Sequence, residues 1–150
     1  MTTESPFLEK VKSKAKLEDI YDARDVTEVV FRTMRDLMTT EASQRVGEEL
    51  GGKDKTIPAS MEEQPKEIAD LWKDTNPIVS FLSQIRPPLK FDADTFLYRI
   101  RQEGGLPKGV EPETAVMAIF SATKEELSSE RVEEIAGFLP DKIKQIWQQA

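Results

Sequence analysis

Compared with itself at a shift of 89 residues, the 150-residue chain aligns positions 7–50 with 96–139 without a gap, so any fold proposed for it has to accommodate two like segments. Phe7 meets Phe96, Leu8 meets Leu97, Leu17 meets Leu106, Phe31 meets Phe120, Glu41 meets Glu130 and Leu50 meets Leu139. Val and Ile exchange at 11 and 100, at 30 and 119, and at 46 and 135, while Thr39-Thr40 falls on Ser128-Ser129. The shift then becomes 75, which sets Pro65, Ile68, Leu71 and Trp72 on Pro140, Ile143, Ile146 and Trp147. The change of shift corresponds to a 14-residue insertion in the first copy, Gly51 to Gln64.

Prolines and glycines punctuate both copies. Pro6, Pro65, Pro77, Pro112 and Pro140 each stand at the start of a stretch with helical apolar spacing, where the missing N–H is an orphan anyway. Ser5 and Asn76 before two of them are natural N-caps, and Gly51-Gly52 and Gly104-Gly105 stand at left-handed helix ends. The spacing predicts helices at about 6–16, 22–38, 40–50, 64–73, 77–85, 93–103, 111–127, 129–138 and 140–149. Convincing period-two alternation is absent, so strands are not expected. The fold class expected is all-α: one compact domain over 1–150 made of two pseudo-symmetric four-helix repeats. Repeat one covers about 6–73 with its insertion at 51–64, a bridging helix follows at about 77–85, and repeat two covers about 93–149. One copy alone is marginal in size, and helical repeats bury their apolar faces on each other. Val26, Val29, Val30, Phe31 and Met34, and then Ala115 to Phe120, make the second helix of each copy apolar on more than one face, as in a helix buried between neighbours. Phe31 and Phe120 are expected at equivalent buried places, and so are Trp72 and Trp147.

The chain contains no Cys and no His, which removes disulfides, thiolate chemistry, His-based acid–base catalysis and the usual zinc sites. A net charge of −7 argues against nucleic acid as the main partner, because phosphates demand a cationic footprint. No apolar run approaches the length of a membrane span, and residues 1–10 lack a basic and apolar leader pattern, so a cytoplasmic location is expected. No cofactor and no metal are expected. Gly51-Gly52-Lys53-Asp54-Lys55-Thr56 lacks the phosphate-loop spacing and follows a helix. Glu62-Glu63, Asp92 with Asp94, and Glu125-Glu126 with Glu130, Glu133 and Glu134 offer oxygen atoms without the pattern of a calcium loop, and read better as solvated faces and helix N-terminal charges. Lys10, Lys12, Lys14 and Lys16 beside Phe7, Leu8 and Val11 form the one cationic strip that could touch an anionic lipid surface.

The stretch that stands out is Arg86-Pro87-Pro88-Leu89-Lys90-Phe91. Two prolines hold it extended, and it combines two cations with an aromatic in an acidic chain. It serves either as a stiff linker between the halves or as a docking strip, with Arg86, Pro87, Pro88, Lys90 and Phe91 as the candidate partner-binding residues.

The C-terminal run from Ser128-Ser129-Glu130-Arg131 through Phe138-Leu139-Pro140 to Ile143, Ile146 and Trp147 resembles the bacterial domain-of-unknown-function family 2267. Members of that family carry a Leu-Pro junction followed by aliphatic residues and an aromatic ending after a polar-capped helix. Phe96-Leu97, Arg99-Ile100 and Gly104-Gly105-Leu106 are similar to its earlier helix, and the likeness is closest to cyanobacterial members. The resemblance implies an all-helical duplicated fold over nearly the whole chain and no particular activity. The first copy departs from the pattern, since the insertion separates Leu50 from Pro65.

The function expected from these residues is that of a non-catalytic protein-interaction or scaffold module, its partner another protein. Two alternatives stay open: a peripheral adaptor at an anionic membrane surface, and an unusual His- and Cys-free enzyme or small-molecule binder.

Overall fold

The computed structural model describes residues 6–50, 71–72, 90–107 and 109–150. Seven helices occur among them: α1 (Pro6–Ala15), α2 (Ile20–Leu37), α3 (Thr40–Leu50), α4 (Ala93–Glu103), α5 (Pro112–Lys124), α6 (Ser129–Ala136) and α7 (Asp141–Gln149). No strand occurs among the described residues, and the fold is all-α. The expected insertion at 51–64 and the expected bridging helix at 77–85 lie outside the described residues. Of the helix expected at 64–73, only Leu71 and Trp72 are described, and both are helical.

Local chemistry sets the helix limits. Asp19 has extended backbone and its carboxylate accepts the Tyr21 N–H at 2.7 Å, so α2 begins two residues before the apolar spacing alone suggests. Asp92 caps α4 by accepting from the Thr95 N–H at 2.9 Å. Ser128 Oγ accepts from the Arg131 N–H at 3.3 Å ahead of α6, and Thr39 Oγ1 accepts from the Ala42 N–H at 3.2 Å ahead of α3. α5 stops at Lys124 rather than at 127, because Glu126 and Leu127 donate to the carbonyls three residues back and tighten the chain into a turn. α1 and α4 are both followed by a left-handed residue, Lys16 with φ 59° and Gly105 with φ 66°. Glycine adopts that conformation freely, whereas a lysine pays for its Cβ.

Buried side chains fall at positions 89 residues apart, the separation that the sequence alignment requires. Val11 and Ile100, Val30 and Ile119, Phe31 and Phe120, and Val46 and Ile135 have no exposed surface. The Phe31 ring meets Trp72 edge-on at 5.1 Å between centroids, and the Phe120 ring meets Trp147 edge-on at 4.9 Å. Phe7 lies 6.0 Å from Phe31, and Phe96 lies 6.5 Å from Phe120. Each indole N–H is buried and needs an acceptor. Trp72 donates to the Ser43 carbonyl at 2.9 Å, and Trp147 to the Val132 carbonyl at 2.9 Å.

Helices α1 to α3 do not pack only among themselves. α1 lies along α5 as well as α2, α4 lies along α2 as well as α5, α3 faces α6, and α7 closes over α4, α5 and α6. Helices α2 and α5 are each thereby covered from both ends of the chain. At Gly104, where α4 meets α2, an added Cβ would sit 2.5 Å from the Ile100 carbonyl oxygen and 3.2 Å from Val26 Cγ2, so a larger residue would force the backbone at the end of α4 to shift.

Two outcomes test this packing. Phe31→Ala and Phe120→Ala should each lower the free energy of unfolding by about 3–5 kcal/mol in urea titrations, as full burial of the ring requires. Lys16→Gly should raise it by about 0.5–1 kcal/mol, because relief of the left-handed strain outweighs the entropy that glycine adds to the unfolded chain.

Candidate functional site

Arg86, Pro87 and Pro88 lie outside the described residues. The end of the strip is described. Lys90 is exposed, and Phe91 is half-buried, one side of its ring packed on the core. The Arg99 guanidinium sits over that ring with its central carbon 4.4 Å from the centroid, and the same group reaches Asp36 Oδ2 at 3.2 Å. Asp36 comes from the end of α2 and Arg99 from the middle of α4. Phe91 is therefore held by both ends of the chain, one residue before the N-cap of α4.

The lysine strip is less available than its sequence suggests. Phe7, Leu8 and Val11, which would supply its apolar side, are buried in the core. Lys10 Nζ lies 2.7 Å from Glu125 Oε1, and Lys14 Nζ lies 2.7 Å from Ser121 Oγ and 3.6 Å from Glu125 Oε2. Lys12 is half-buried and Lys16 is exposed.

Several acids read from sequence as solvated faces meet cations from the other end of the chain. Glu134 pairs with Arg45 and accepts from Arg131 at 2.7 Å. Arg131 is largely buried between Glu134 and Glu49, with Glu130 at 3.1 Å. Glu49 also accepts from the Ser128 N–H at 2.8 Å and its hydroxyl at 3.0 Å. Hydrogen bonding from Lys10 holds the Glu125 carboxyl below the usual carboxylate range, and hydrogen bonding from Arg45 does the same for Glu134. Asp92 is lowered by the backbone N–H that it caps.

These pairs escaped the reading of single segments, although a trace of them stands in the alignment. At the 89-residue shift Lys10 falls on Arg99 and Asp36 on Glu125, so cation meets cation and acid meets acid. The partners lie 115 and 63 residues apart, and nothing local announces the contact.

An open groove of about 290 Å³ runs between α2 and the end of α4, lined by Asp25, Glu28, Val29, Arg32, Glu103 and Gly105. Arg32 and Glu103 are paired across it. Among the described residues, no group of three or more His, Cys, Asp or Glu is arranged to hold a metal ion. No helix among them is long and apolar enough to cross a membrane. Among the described residues, Tyr21 and Tyr98 are the large apolar side chains most exposed, at 67% and 63%.

The carboxylates make acid stability predictable. A carboxyl held lower in the folded protein than in the unfolded chain contributes fully above the unfolded value, near 4.5 for Glu, and its contribution disappears as pH falls through the folded value. Urea midpoints should therefore drop as pH is lowered from about 5 to about 3. The Glu125→Gln/Glu134→Gln variant should start lower and show a shallower decline. An equal slope would place the acid sensitivity elsewhere.

No curated protein matches the chain. The family described as "Uncharacterized conserved protein (DUF2267)" matches residues 4–146, so the match spans all seven described helices but for the last three residues of α7. Since that match takes in well over half of the sequence, the chain belongs to the DUF2267 family.

Proposed function

We propose that the protein is a non-catalytic protein-interaction module in which the strip ending at Phe91 contributes to the contact with another protein. The observation that carries this reading is the seating of Phe91: a half-exposed aromatic ring fixed under Arg99, which Asp36 in turn holds, beside the exposed Lys90. A ring already fixed in place loses little conformational freedom on binding, and aromatic and Arg side chains are enriched in interface centres. By sequence, Pro87 and Pro88 reduce the ordering cost of the same strip further.

Phe91 also packs on the core, so its removal would mix stability with binding. The cleaner test is Arg86→Ala/Lys90→Ala in the full chain. The expected outcome is reduced recovery of co-purifying proteins from native cells, with a urea midpoint within about 0.5 kcal/mol of the parent. Unchanged recovery of the same proteins in the same amounts would remove the strip from the interface.

A further inference from the structure

Several contacts between the two ends of the chain come in reciprocal pairs. Lys10 on α1 meets Glu125 just after α5, and the residues 89 positions away from each, Arg99 on α4 and Asp36 near the end of α2, meet one another as well. Lys14 meets Ser121, and their counterparts Glu103 and Arg32 meet in the same way. Helix α1 lies along α5 while α4 lies along α2. Reciprocity of this kind, i to j accompanied by j to i, is what a two-fold axis imposes on a pair of like bodies. A residue on such an axis has to meet its own counterpart. Arg45 and Glu134, on the facing helices α3 and α6, are exactly 89 residues apart and are paired with each other.

From this geometry we propose that the seam is a self-sufficient recognition surface, in which residues 6–72 and 90–150 are obligate partners about a pseudo-two-fold axis, so that they hold together and unfold together without covalent connection through residues 73–89. The seam is part of the core itself: Phe7, Leu8, Val11 and Ala15 on α1 are buried where that helix lies between α2 and α5, and Phe96 and Ile100 are buried on α4 between the same two helices. A half left alone would expose α2 or α5 along the side that the other half covers. The axial charges match unlike halves, since two first halves would set Arg45 against Arg45 and two second halves Glu134 against Glu134. The proposal does not depend on the strip's role in binding. It does free the segment that carries Arg86, Pro87 and Pro88 from the task of joining the halves.

The first test is native-state hydrogen exchange on the full chain carrying Phe120→Leu, with Ile119→Val used if the first variant does not fold. Protection of core amides in α2 and in α5 should fall by the same factor, on the order of ten for Phe120→Leu and less for Ile119→Val. Loss confined to α4–α7 would overturn the proposal. The second test inserts a specific protease site between residues 75 and 76 of the full chain and cleaves the folded protein. The cleaved protein should elute as one species and unfold in a single transition. Separation of the two pieces in native buffer, folded or unfolded, would equally overturn it.

Discussion

Helix α5 is buried around most of its circumference and α2 along a broad face, and the packing of the other helices follows from the need to cover these two. A helix with one apolar stripe is satisfied by one neighbour, whereas a helix buried on several sides needs neighbours on each. Among the described helices, α2 takes part of its cover from α4, and α5 takes part of its cover from α1, so each draws on the other end of the chain. Long-range burial of this kind converts two marginal helical segments into one core.

Around that core the polar interactions are peripheral in energy and specific in placement. Exposed ion pairs such as Lys10 with Glu125 contribute little each, because water screens them and two long side chains must be ordered to make them. Their reciprocal positions nonetheless register one half on the other, and like charges at the same places would oppose the wrong register. The indole N–H groups play a comparable part inside the core. Each Trp is buried in an orientation that aims its N–H at a carbonyl, that of Ser43 or of Val132.

The candidate docking edge sits where these two levels meet. Phe91 rests against the apolar core, Arg99 covers it, and Asp36 anchors Arg99 from the other half. An aromatic held in this way belongs to the scaffold on one side and presents itself on the other. Loops placed by a rigid scaffold commonly carry contacts for the same reason.

The sequence by itself determined the seven described helices, most of their ends and most of their buried positions. Those features rest on local rules: apolar spacing, Pro at helix starts, Asp, Ser or Thr at N-caps, and Gly after a helix. It also displayed the alignment of the two segments, because matched core positions keep matched residues, as at Phe31 and Phe120. The left-handed Lys16 was not legible, since lysine carries no turn signal and only its alignment with Gly105 hints at the conformation. The pairing of α1 with α5, the seat of Phe91 under Arg99, the pairing of Arg45 with Glu134 and the groove beside Arg32 were decided by tertiary structure alone. Each joins residues far apart in the chain, and helical periodicity says which face of a helix is apolar without saying whose surface will cover it.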